Sequence, residues 1–204
     1  MARPKGDASV TAARKLQILQ AAFEVFSSKG FRGGSLAQVA DLVGISEAGV
    51  LHHFKSKSDL LIAVLEYRDQ ITQEVAHITD DMSGIEFVSG WFDLVEFNVS
   101  HPGIVELYCI VSAEATAEDH PAHEFFKRRY EYVIGISTKL IADLAKRGYL
   151  KNNLEPSDVA RSLIALSDGL QVQWLLDRKW DMLEEHKNFF RATLSDTGIS
   201  AAKL

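Results

Sequence analysis

The chain has 204 residues, 47% of them hydrophobic and 25% charged, with a formal net charge of −6. That length is enough to bury a real core, and the balance is that of a folded globular protein, which excludes disorder and fibrous repeats. No run approaches the ~20 apolar residues that span a bilayer, and the opening MARPKGDASVTAARK has no apolar leader segment, so a cytoplasmic address with no membrane partner is expected.

The single cysteine, Cys109, has no thiol to pair with and no basic neighbour to activate it. It reads as a small buried hydrophobe. The charge is unevenly spread. Residues 1–57 carry eight basic side chains (Arg3, Lys5, Arg14, Lys15, Lys29, Arg32, Lys55, Lys57) against four acids (Asp7, Glu24, Asp41, Glu47), a net +4, and the rest of the chain carries −10. A basic segment ahead of an acidic body suits a first part that meets a polyanion and a second that does not.

In chain order, Leu16, Leu19, Phe23 and Phe26 recur at three- and four-residue spacing and predict one apolar stripe on a helix from Ala12 to Lys29, stopped by Gly30. Ser35 caps a short helix carrying Leu36, Val39, Ala40 and Val43, which Gly44 ends. Ser46 caps a third helix reaching about Phe54, with Val50, Leu51 and Phe54 as its apolar positions. Ser56 and Asp59 form a capping box with Asp in place of Glu, opening a long helix whose Leu60, Leu61, Val64, Leu65, Ile71 and Val75 face inward. Further helices are expected over 83–99, 102–118, 121–148, 156–179 and 182–194, with Pro102, Pro121 and Pro156 near helix starts and Gly148 after a helix end. No alternating strand pattern competes, so the fold is expected to be all-α with about nine helices: residues 1–57 as a three-helix domain, 58–195 as a helical body, 196–204 as a flexible tail.

The second and third helices fit a helix-turn-helix. That motif needs a small residue at the helix crossing, a glycine four residues on, and apolar residues to lock the angle; Ala40, Gly44, Ile45, Val50 and Val39 fill those roles. The first helix then adds Leu19, Phe23 and Phe26 to the core, and the helix opening at Ser46 is free to enter a major groove with its N-terminal residues nearest the bases. Lys55 and Lys57 stand where phosphates flank the groove. Ser35 and the amides of its helix start suit another phosphate, and Arg3 and Lys5 suit an arm to the minor groove.

In AAFEVFSSKGF (21–31), SLAQVADLVGIS (35–46) and GVLHHFKSKSDLL (49–61), residues 12–60 resemble the DNA-binding region of the TetR family of bacterial transcriptional regulators. The resemblance implies a homodimeric repressor of nine helices per protomer, whose C-terminal domain binds a small molecule and changes the spacing of the recognition helices. It places Ser35, Glu47, Ala48, Gly49, Leu51, His52, His53 and Lys57 at DNA-contacting positions, beside Ser46 and Lys55. Two departures stand out: the family usually has tyrosine where Leu51 stands, and Gly49 has no side chain and weakens its helix by ~1 kcal/mol relative to alanine. Base readout then leans on Glu47 toward a cytosine amino group, on His52, on apolar contact from Leu51 to a thymine methyl, and on DNA shape.

A metal site is not expected: His52 and His53, as consecutive helical residues, diverge by about 100°, and His120 and His123 have no cysteine or carboxylate cluster beside them. No cofactor is expected, and no enzyme signature such as a nucleophile elbow, P-loop or dinucleotide glycine pattern occurs. If the body leaves a cavity for an effector, Trp91, Tyr108, Tyr130 and Trp174 would line it, with Asn98, His101 or Glu114 as polar anchors; ordinary core serves these aromatics equally well. In the family the last two helices pack against their twins, and Val159, Leu163, Leu166, Leu170, Phe189 and Phe190 would supply that contact. The same stripe equally satisfies an intramolecular core. The reading is a ligand-responsive repressor with double-stranded operator DNA, a small-molecule effector and a second copy of itself as partners. An activator or constitutive regulator comes next, and an all-α enzyme third.

Overall fold

The computed structural model describes residues 5–79 and 81–204, and side chains from residue 10 onward. Among them there are ten helices and no strand: α1 (Lys5–Gly33), α2 (Leu36–Val43), α3 (Glu47–His53), α4 (Lys57–Ala76), α5 (Gly84–Ser100), α6 (Pro102–Glu114), α7 (His123–Lys146), α8 (Pro156–Leu176), α9 (Met182–Thr193) and α10 (Asp196–Ala202). No helix among these residues is long and apolar enough to cross a membrane. Arg3 lies outside the described residues; Lys5 opens α1 rather than belonging to a loose arm.

The chain forms two compact units. One runs to Gln70 and takes in Glu106–Phe126; the other comprises Ile71–Val105 and Lys127–Leu204. The division falls inside α4, after Gln70, and Leu60, Leu61, Val64 and Leu65 ahead of it are buried.

In the first unit α1 packs on α2 and α2 on α3. The α1 face that turns inward carries Ile18, Ala22, Val25 and Phe26, whereas Leu16 is 42% exposed and Leu19 and Phe23 are only half-buried. The expected stripe is thus rotated toward smaller residues, since α1 is apolar over more than one face and its neighbours choose among them. Val39, Ala40, Val50 and Phe54 complete the core. On α4, Arg68, Thr72 and Ala76 are buried where Ile71 and Val75 were expected. Arg68 keeps its charge satisfied by pairing with Asp69 at 2.9 Å and lying 4.8 Å above the Tyr108 ring. Cys109 is half-buried rather than core.

In the second unit α9 packs on α5 and α8. Ser83 and Glu86 form a capping box at the start of α5, and Asp143 of α7 accepts from the Gly84 N–H at 2.9 Å and from Arg147 at 2.8 Å. Those two bonds hold the Asp143 carboxyl below the usual carboxylate range. The segment 196–204, expected as a flexible tail, forms α10. Ser195 caps it through Gly198 N–H, donates to the Gly148 carbonyl at 2.8 Å, and gives its own N–H to the Tyr149 carbonyl at 2.8 Å. A short antiparallel bridge between Leu150 and Leu194 precedes it.

His186 of α9 is fully buried, and its Nδ1 meets the Met182 carbonyl at 2.8 Å, so Nδ1 carries the proton and Nε2 the lone pair. Burial holds its pKa below the ordinary imidazole value near 6.5. The unfolded chain therefore takes up a proton here before the folded one does. Stability is complete above about pH 6.5 and falls as the pH drops through and below it. In urea titrations between pH 8 and 5, His186→Leu is expected to lose part of that acid-side decline; an unchanged slope contradicts the assignment.

Candidate nucleic-acid interface

The helix-turn-helix is set by local chemistry. Ser35 accepts from Gln38 N–H while the Gln38 side chain accepts from Ser35 N–H, a reciprocal cap that fixes where α2 begins. Gly44 ends α2 at φ 71°, and its backbone N–H returns to the Ala40 and Asp41 carbonyls. Ser46 opens α3 by accepting from Gly49 N–H at 3.1 Å, and the Phe54 N–H closes it on the Val50 carbonyl. Ser56 accepts from Asp59 N–H and its hydroxyl meets the Asp59 carboxylate at 2.8 Å, so the short Asp bonds the cap's hydroxyl.

These caps orient α3 with Val50 fully buried and Ser46, Glu47, Ala48, Leu51 and His52 exposed; Leu51 is 42% exposed, an apolar side chain held in solvent. Gly49 and His53 are half-buried, and the His52 and His53 rings lie 5.4 Å apart, edge to face. Lys55 is exposed just past the helix, and Lys57 is half-buried at the start of α4 with its ammonium 4.3 Å above the Phe31 ring. Ser35 is half-buried, its hydroxyl already serving the α2 cap. One surface thus presents short side chains and an apolar tip, bordered by cations, a form suited to a groove with phosphates on its rims.

The family model for bacterial regulatory proteins of the TetR family matches residues 18–64, which contain that surface. Residues 18–64 thus form a TetR-type helix-turn-helix segment. The chain is 33% identical over 100 residues to the HTH-type transcriptional regulator RutR of Escherichia coli (strain K12), covering 48% of this chain and 47% of that one. The chain thus spans about half the length of these curated relatives. Across the whole fold, the TetR family regulator from Agrobacterium tumefaciens superposes with a TM-score of 0.77 at 17% identity, covering 91% of this chain and 100% of that chain. A putative transcriptional regulator from Saccharomonospora viridis in complex with choline gives 0.75 at 20% identity, covering 90% and 99%. At such identities the likeness is one of fold.

The residues expected around an effector are distributed over the two units. Tyr108 and Glu114 belong to the first unit; Trp91, Asn98, His101, Tyr130 and Trp174 belong to the second. Tyr108 is covered by Arg68, and both Glu114 oxygens accept backbone N–H groups of α1. His101 is exposed, stacked on Phe97 at 4.1 Å. Tyr130 donates to Asp168 at 2.7 Å, and Trp174 is buried beneath the Arg178 guanidinium. Trp91 and Asn98 are buried, and the Trp91 Nε1 and Asn98 Oδ1 atoms make no hydrogen bond, nor do Gln171 Oε1 and His186 Nε2 in the same unit. Gln171 and His186 were not anticipated, because polar residues inside amphipathic helices read as surface until the fold buries them.

Of the residues expected at a dimer seam, Val159, Leu163, Leu170 and Phe190 are buried within the chain itself, while Leu166 and Phe189 are half-buried. The outward face of α8 instead carries Ser162, Ala165, Gly169, Val172 and Leu176, with Leu176 84% exposed.

Proposed function

We propose that this chain is a TetR-family transcriptional repressor that binds operator DNA as a homodimer and is released by a small-molecule effector. The observation that carries the reading is α3: a capped two-turn helix anchored by Val50, whose exposed face carries Glu47, Ala48, Leu51 and His52 between flanking cations. In the complex Glu47, Leu51 and His52 meet base edges, with Ala48 and Gly49 letting the backbone approach, while Lys55, Lys57, Ser35, Ser46 and His53 hold phosphates. Homodimers form through the exposed α8 stripe together with α9. Buried, unpaired polar atoms on α5, α8 and α9 support an effector that offers both acceptors and donors, since such groups are costly when left without a partner.

A mobility shift on the DNA upstream of the chain's own gene, run at about 50 and 200 mM salt, tests the reading. Removing one phosphate-binding cation lowers the salt slope by about 0.9, so the Lys55→Met/Lys57→Met double variant is expected to bind about ten- to a hundredfold more weakly, with a slope smaller by about 2. An unchanged slope removes these lysines from the interface. A thermal-shift screen of polar metabolites then separates a ligand-gated regulator, whose melting temperature rises with its effector, from a constitutive one.

A further inference from the structure

The first unit contains a cluster that the helix-turn-helix does not require. At the end of α1, Gly30 takes φ 67°, a conformation that favours glycine, and a Cβ there would stand 2.6 Å from Glu114 Oε1 and 2.9 Å from Ile110 Cγ2. The space is occupied by the Glu114 carboxylate. Its Oε2 accepts from Phe31 N–H at 2.7 Å and its Oε1 from Arg32 N–H at 3.2 Å, so one side chain at the end of α6 holds two successive amides 82 and 83 residues away. These bonds fix Phe31, whose ring carries Lys57 Nζ on its face at 4.3 Å and the His120 ring edge-on at 5.1 Å. His120 is buried, and its Nδ1 accepts from Ala122 N–H at 3.2 Å, which leaves the ring proton on Nε2, 3.7 Å from Glu114 Oε2.

We propose that Glu114 is a positioning residue for DNA recognition: it fixes the Phe31 ring and, through that ring and its own charge, holds Lys57 ready for a backbone phosphate. A lysine on a four-carbon stem otherwise loses rotamer freedom when it binds. Here that freedom is restrained beforehand by the cation–π contact and the nearby carboxylate. The two influences on Lys57 differ in sign: desolvation by burial lowers its pKa and the Glu114 charge raises it.

The proposal rests on the DNA-binding reading and has its own test, a double-mutant cycle on the full-length chain. The probe is a duplex selected by the wild type from a random-sequence pool, read by fluorescence anisotropy at about 0.15 M salt. Glu114→Gln keeps the shape and one acceptor but removes the charge; it is expected to weaken binding roughly five- to tenfold with Lys57 present and less than about twofold in a Lys57→Met background. Phe31→Leu, which removes the ring face and keeps an apolar side chain, is expected to behave alike and serves if Glu114→Gln folds poorly. Equal losses in both backgrounds, or tighter binding by Glu114→Gln, overturn the positioning role while leaving the DNA-binding reading intact. A wild type that selects no duplex overturns both.

Discussion

Gly90→Ala is expected to destabilise the protein by about 3–5 kcal/mol, although the same exchange inside an exposed helix normally stabilises by up to ~1 kcal/mol. The sign is reversed by space. Gly90 lies within α5, and a Cβ there would stand 2.2 Å from the Ala76 carbonyl oxygen, a backbone atom that cannot swing aside. Against a total stability of about 5–15 kcal/mol the loss is large, and the melting temperature should fall by roughly 10 °C. Gly135 in α7 is the matched control. It is exposed with nothing within 4 Å of its Cβ position, so Gly135→Ala should raise stability by about 0.5–1 kcal/mol. Thermal melts of the two variants side by side check the account; a stabilising Gly90→Ala contradicts the close approach of α5 to the end of α4.

The second large effect is expected at α8. Val172→Glu/Leu176→Glu places two charges on residues that are 48% and 84% exposed in the single chain, so folding should be little affected. In the proposed dimer the same charges meet their own copies across a two-fold axis, where like charges must be desolvated together. Light scattering should find the variant monomeric, and operator affinity should fall by more than about a hundredfold because each chain then reads one half-site alone. Leu163→Ala is the contrasting case: fully buried in the protomer, it should cost about 2–5 kcal/mol of stability as a cavity and leave the surviving folded molecules dimeric. A double-Glu variant that remains dimeric contradicts this face.

What was legible in the sequence is what neighbouring residues decide. Ser35, Gly44 and Ser46 announce the ends of α2 and α3 because caps are made within four residues, and the structure makes the bonds those residues allow. The inward face of α1 was not legible: Leu16, Leu19 and Phe23 make as regular a stripe as Ile18, Ala22 and Val25, and only contact with α2 selects the smaller set. The same ambiguity left Leu163 and Leu170 open between a partner and the chain's own core, where they are buried. α10 escaped notice because its support is distant, a serine cap tied to the Gly148 and Tyr149 carbonyls. Glu114 read as an anchor for a ligand; its bond to Phe31 spans 83 residues, a distance at which sequence spacing carries no information.

The most direct measurement is a hydroxyl-radical footprint on a selected duplex at saturating protein. Two α3 helices carried by one homodimer should protect two related half-sites about 10 base pairs apart, centre to centre, on one face of the DNA, and both tracts of protection should disappear together in Val172→Glu/Leu176→Glu. Protection of a single isolated site, or protection spread evenly along the duplex without sequence preference, contradicts the account.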